Sequence, residues 1–75
     1  MNQISLKSAR INARLTQKQL GDIVGVHENT ISKWENDPSE MSIRNAEKVC
    51  QALNVSFSDI FFGSTLQNVD KRANY

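Results

Sequence analysis

The sequence predicts an all-α fold, a compact bundle of about five short helices. Apolar residues recur at helical spacing through the first 62 residues. Residues that favour helix ends separate these stretches, and Gly and Pro, which interrupt helices, number only three and one. At 75 residues the chain corresponds to one small domain with a thin core. This size argues against a two-domain cleft or a large enclosed substrate pocket.

The first two helices follow from spacing and from capping residues. The first is predicted by four residues on one helical face, namely Leu6, Ala9, Arg10 and Ala13. Thr16 and Gln19 form a capping box that opens the second helix, and Gly25 is the left-handed residue expected to end it. The apolar face of the second helix is expected to consist of Leu20, Ile23 and Val24.

A third helix is predicted from Glu28 to Glu35, with Ile31 and Trp34 facing inward. Two helices joined by a short Gly-containing turn form a helix-turn-helix unit, which here covers about residues 17–36. Gly21 lies in the middle of the second helix, where glycine costs about 0.5–1 kcal/mol relative to alanine. We interpret this glycine as the place where a neighbouring helix crosses closely.

The remaining elements are a loop at 36–40 and two further helices. Ser42 is expected to cap the fourth helix and Asn54 to end it. The core-facing stripe of that helix is predicted to be Ile43, Ala46, Val49, Cys50 and Leu53. A second capping box opens a short fifth helix, which involves Ser56, Asp59, Phe57, Ile60 and Phe61 and ends at Gly63. The domain therefore spans 1–63, and residues 64–75 are predicted to form a flexible polar tail.

Composition excludes several classes of function. The net charge of +1 excludes a broadly basic nucleic-acid binder. One Cys and one His exclude a disulfide framework and a zinc site within one chain, so no metal and no cofactor are expected. No apolar run is long enough to span a membrane, and no signal peptide is visible. We therefore expect a cytoplasmic protein with a reduced, buried Cys50 and no small-molecule substrate.

The charge is unevenly distributed along the chain. Residues 1–18 carry +4, residues 19–41 carry −4 and residues 42–75 carry +1. Such segregation affects local contacts more than the total charge does. It is also typical of solvated helix faces.

The segment LTQKQLGDIVGVHENTISKWEN, residues 15–36, resembles the phage repressor and Cro family, also called the XRE-type helix-turn-helix. The likeness continues through ALNVS at 52–56 and covers roughly residues 4–62. It implies a lambda-repressor-like fold and a sequence-specific transcriptional regulator that binds operator DNA, as a weak homodimer on a two-fold site. It also implies that Arg10 pairs with Glu35, because an unpaired buried charge is very costly.

The predicted DNA contacts fall into two groups. In such a unit the N-terminal part of the second motif helix reads base edges in the major groove. The positions of that helix that point away from Ile31 and Trp34 are Glu28, Asn29, Ser32 and Lys33. The resemblance implies phosphate contacts by Thr16, Gln17, Lys18, His27, Asn36 and Arg44. His27 stands where the family often has a Ser or Thr cap, and Asp37 and Glu40 stand where Gly and a basic residue are frequent.

Two classes of function remain open at this point. The first is a Cro-like or repressor-like regulator of transcription. The second is a protein-interaction module of the same fold, such as an antitoxin that covers a toxin and binds DNA secondarily. An enzyme is disfavoured because His27 starts a helix, Cys50 occupies a core position, and no paired-carboxylate pocket is indicated. Ile4, Phe61 and Phe62 are candidates for a self-association patch.

Overall fold

The computed structural model describes residues 3–60 and confirms the all-α prediction over that range. Four α-helices form most of it: α1 is Leu6–Asn12, α2 is Gln17–Val24, α3 is Glu28–Asn36 and α4 is Ile43–Leu53. Single 3-10 turns occupy Pro38–Glu40 and Phe57–Asp59. The predictions for Phe61, Phe62, Gly63 and the polar tail 64–75 lie outside the described residues.

The helix ends follow the predicted capping chemistry. The Thr16 hydroxyl accepts the Gln19 backbone N–H at 3.0 Å, and the Gln19 side chain accepts the Thr16 N–H at 2.9 Å. Ser42 caps α4 by accepting the Asn45 N–H at 3.1 Å. Left-handed residues end α2 and α4, as expected, at Gly25 (φ 88°) and at Asn54 (φ 57°). These local interactions fix where each helix begins and stops.

The core lies between α2, α3 and α4, with α1 covering one side. Its buried residues are Leu6, Ala9, Leu20, Ile31, Trp34, Met41, Ala46, Val49, Cys50, Leu53 and Ile60. Cys50 is a buried packing residue, as predicted, and burial together with Asp59 and Glu47 raises the pKa of its thiol. The thiol is thus a poor nucleophile at neutral pH. Met41 also belongs to the core, which the sequence pattern did not predict.

Two isoleucines predicted to face the core are exposed instead. Ile23 is 58% exposed because the buried arc of α2 is centred between Leu20 and Gly21, and Ile23 lies about 110° from that centre at 100° per residue. Ile43 is 47% exposed because it is the first residue of α4. Met41, two residues earlier, enters the core at that end of the helix.

The predicted fifth helix is a single 3-10 turn. Its capping box between Ser56 and Asp59 is present, but the backbone is extended at Ile60 (φ −118°, ψ 137°). Ile60 forms a parallel bridge with Ile4, and the Ile4 N–H donates to the Asp59 carbonyl at 3.0 Å. Pairing with the N-terminal segment therefore replaces a longer helix. Ile4 is half-buried and packs against the core in this pairing.

Gly21 is buried where the turn after α2 folds back onto the helix. A Cβ at this position would lie 2.5 Å from the Val26 carbonyl oxygen and 3.4 Å from the Glu28 backbone nitrogen. The close neighbour is thus the backbone of the turn between α2 and α3, rather than the body of a crossing helix. A main-chain oxygen cannot move aside as a flexible side chain can.

We predict that Gly21→Ala destabilises the domain by about 1–3 kcal/mol, although alanine favours helix, because the new methyl group displaces the Val26 backbone. Urea unfolding of the wild type and the variant measures this difference. Asp22→Ala, at the next and exposed position, is the matched control and should stay within about 0.5 kcal/mol. A Gly21→Ala protein as stable as the control would contradict the packing argument.

An ion pair ties α1 to the end of α3, as the family resemblance implied. Arg10 Nε donates to Glu35 Oε2 at 2.5 Å, and the two side chains are only 11% and 5% exposed. Arg10 Nη1 also donates to the Leu15 carbonyl at 2.8 Å. This second bond holds the turn between α1 and α2, where Arg14 adopts a left-handed backbone (φ 62°).

Removing one member of a buried pair leaves the other charge without compensation. We expect Glu35→Ala to destabilise the fold by on the order of 3 kcal/mol, because it strands Arg10. In a domain of this size the melting temperature should fall by more than about 10 °C in a thermal scan. Glu47→Ala, an exposed carboxylate on α4, is the control. A Glu35→Ala melting temperature within a degree or two of wild type would reject this role.

Candidate nucleic-acid interface

The unit formed by α2, a three-residue turn and α3 has the geometry of a helix-turn-helix. Residues 25–27 connect the helices, and the Gly25 and Val26 N–H groups both donate to the Gly21 carbonyl, at 2.7 and 2.9 Å. Leu20 of α2 and Ile31 and Trp34 of α3 are buried. The two helices therefore pack against each other as one unit, and α3 exposes Glu28, Asn29, Lys33 and Asn36 away from the core.

The outward face of α3 carries an uninterrupted polar stripe. Glu28, Asn29 and Lys33 are exposed and Ser32 is half-buried, and Asn36 at the end of the helix is exposed as well. At about 100° per residue these five positions fall within an arc of about 140°. Nine residues make α3 about 13 Å long, and an α-helix fits the major groove of B-DNA. The structure thus brings all four predicted base-contacting residues onto one accessible face.

His27 caps the beginning of α3. Its backbone is extended (φ −70°, ψ 152°), and its Nδ1 accepts the Asn29 backbone N–H at 3.0 Å. The side chain is exposed. The imidazole therefore performs the capping role that a Ser or Thr hydroxyl performs in the family, while also lying at the edge of the polar stripe.

Gln17 connects the beginning of α2 to the ion pair. Its Nε2 donates to Glu35 Oε1 at 3.0 Å, and Arg10 Nη2 donates to the same oxygen at 3.4 Å. Gln17 is half-buried, and one of its two Nε2 protons is sufficient for the bond to Glu35. The other Nε2 proton can still donate to a phosphate oxygen next to the free N–H groups of the first turn.

The other predicted backbone-contacting residues are more dispersed. Thr16 is exposed, but its hydroxyl already accepts a bond in the capping box. Lys18 forms an exposed pair with Asp22 at 3.4 Å, which contributes little and leaves the ammonium group available. Arg44 is an exposed residue in the first turn of α4, and within residues 3–60 no hydrogen bond or ion pair joins it to α2 or α3.

The described part of the chain also bears on metal ligands, membrane spans and grooves outside α3. Residues 3–60 contain no group of three or more His, Cys, Asp or Glu side chains that could hold a metal ion. No helix in this range is long and apolar enough to cross a membrane. An open groove of about 500 Å³ runs between α2 and α4, lined by Ile23, Val24, Lys48, Gln51 and Ala52. It contains no residue of the polar stripe on α3.

Sequence reasoning missed two contacts at this site. The bond between Gln17 and Glu35 joins residues 18 positions apart, and no local pattern could indicate it. The capping role of His27 did have a signal, because His27 directly precedes the first residue of a predicted helix. The resemblance also placed His27 at a cap position, but the capping role was not assigned to it because histidine is not among the preferred capping residues.

Comparison with known proteins agrees with this geometry. Antitoxin PezA of Streptococcus pneumoniae serotype 4 (strain ATCC BAA-334 / TIGR4) is 39% identical over 56 residues, which are 75% of this chain and 35% of that protein. The chain therefore spans about a third of the length of this curated relative. No solved structure matches the chain significantly. A family model described as helix-turn-helix matches residues 6–60, a range that includes all four helices. The chain belongs to the helix-turn-helix family of DNA-binding domains, of the XRE type.

Proposed function

We propose that this protein is a sequence-specific transcriptional regulator, Cro-like or repressor-like, that reads an operator with α3. The observation that carries the proposal is the polar stripe of α3, which lies opposite the buried Ile31 and Trp34 and is free of core packing. The regulator would act in the cytoplasm without catalysis, and double-stranded DNA would be its ligand.

The side chains of the stripe suit different base edges. Asn29 can form two hydrogen bonds with adenine N6 and N7, and Lys33 can donate to guanine O6 or N7. Ser32 can donate or accept, although its partial burial limits its reach. Glu28 can accept from cytosine N4, and otherwise its charge discriminates against sites that bring a phosphate near it.

The phosphate contacts would come from the helix beginnings and from the loop after α3. Gln17 and the first turn of α2 supply donors and a partial positive charge, with Thr16 and Lys18 beside them. His27, Asn36 and Arg44 are the remaining proposed backbone contacts. Asp37 and Glu40 reduce the positive charge around that loop, so one domain should bind with modest affinity and a shallow dependence on salt.

Modest affinity per domain makes a homodimer on a two-fold operator the favoured arrangement. A helix-turn-helix dimer presents two recognition helices to half-sites about 34 Å apart. Dimer formation on DNA would then supply the affinity that a single polar stripe lacks.

A second candidate function is that of an antitoxin-type module. It is favoured by the 39% identity to a protein named as an antitoxin. In that case a protein partner would be the principal ligand, and DNA binding would serve regulation of the partner. The match concerns about a third of the relative, so this candidate is secondary.

Selection of duplexes from a random DNA pool by the purified chain, at about 0.1 M salt, tests the proposal. We expect a two-fold symmetric site with half-sites about one helical turn apart. The recovered sequences would also reveal whether cytosine lies opposite Glu28. Failure to enrich any sequence would count against the regulator and favour the antitoxin-type module with a protein partner.

Single substitutions should separate base contacts from phosphate contacts. Asn29→Ala or Lys33→Ala is expected to cost about 1–3 kcal/mol on the selected site, with little effect on random DNA of equal length. Gln17→Ala and Arg44→Ala should weaken binding to both DNAs. Titrations at one salt concentration measure these differences, with Glu47→Ala as the surface control. Equal losses on both DNAs for Asn29→Ala would overturn its assignment to base reading.

A further inference from the structure

The cap of α3 is an imidazole. Unlike a hydroxyl, an imidazole can accept the capping hydrogen bond through Nδ1 only when that nitrogen carries no proton. His27 Nδ1 accepts the Asn29 N–H at 3.0 Å, so Nδ1 must carry a lone pair. In the neutral ring the single proton then resides on Nε2. The bond therefore selects one tautomer and leaves an N–H donor on the exposed side of the ring.

Protonation of the ring would abolish this cap. An imidazolium carries protons on both nitrogens and has no acceptor left for the Asn29 N–H. It would also place a positive charge at the positive end of the helix dipole, which is unfavourable. Imidazole is the side chain that ordinarily changes charge between about pH 5 and 8. The first turn of α3 is thus held by a bond that exists in only one protonation state.

The charged groups around His27 do not replace the lost bond. On α2 the nearest in sequence are Lys18 and Asp22, which pair with each other at 3.4 Å. On α3 they are Glu28 and Lys33, both exposed. Each of these side chains is solvated, and no hydrogen bond joins any of them to the imidazole within residues 3–60. Within residues 3–60 the side-chain cap of α3 therefore consists of the single bond from the Asn29 N–H to His27 Nδ1.

We propose that neutral His27 is a positioning residue, which fixes the first turn of α3 and with it Asn29 for base reading, so that protonation reduces discrimination between operator and random DNA. The inference rests on the proposed function. A charge gained on His27 would attract the phosphates of any duplex equally, so it cancels in the ratio of the two affinities. Loss of the cap would lower only the operator affinity, because base contacts require a fixed helix start.

The first test uses the free protein and needs no DNA. Ring ¹⁵N chemical shifts at pH 8 should show the Nε2–H tautomer of His27. The Asn29 amide should be protected from hydrogen exchange relative to the same amide in His27→Ala. An equal mixture of the two tautomers, or an Asn29 amide equally protected in His27→Ala, would overturn the cap.

The second test measures the ratio of operator to random-duplex affinity at pH 8 and pH 5.5, at constant salt. The wild-type ratio should fall towards that of His27→Ala, and complete loss of a cap worth about 1 kcal/mol corresponds to about fivefold. His27→Ser caps through a hydroxyl that does not titrate in this range, so its ratio should stay high at both values. His27→Ala should have a low ratio at both.

The outcomes separate this inference from the proposed function. A wild-type protein that does not discriminate between any duplexes at pH 8 contradicts the proposed function and the positioning role together. A wild type that discriminates equally well at both pH values contradicts the inference alone. An equal fall in His27→Ser would assign the pH effect to another group and would likewise overturn it.

Discussion

The carboxylate of Glu35 is the point at which three helices of this small domain meet. It lies at the end of α3, receives Arg10 from α1 and receives Gln17 from the beginning of α2. The thin core holds α1, α2 and α3 together, and each of these helices is only seven to nine residues long. This shared acceptor adds a polar constraint to that packing. Because Gln17 also stands where a phosphate is expected, the scaffold and the proposed backbone contact depend on one side chain.

Most of the fold could be predicted from the sequence because local chemistry determines it. Capping pairs such as Thr16 with Gln19, and helix-ending residues such as Gly25 and Asn54, act within a few residues and leave a clear pattern. The prediction was wrong at a helix end and at one angular position. Ile43 is exposed because it is the first residue of α4, and Ile23 has the spacing of a core residue but lies off the arc that Leu20 and Gly21 bury.

In the candidate site, too, local features could be predicted from the sequence and contacts between distant residues could not. Helical geometry alone places the outward face of α3, so its polar residues could be named in advance. The partner of Gln17 could not be named, since only the folded chain brings residues 17 and 35 together. The extended segment at Ile60 was missed for a similar reason, because its partner Ile4 lies near the opposite end of the described chain.

The division of α3 into a buried arc and a polar arc has an evolutionary consequence. Ile31, Trp34 and Glu35 hold the helix in place, whereas Asn29 and Lys33 take no part in that packing. The residues of the polar arc can therefore be substituted without compensating changes in the core. Under the proposed function, divergent copies of such a gene would acquire new target sites through few substitutions while keeping the same scaffold.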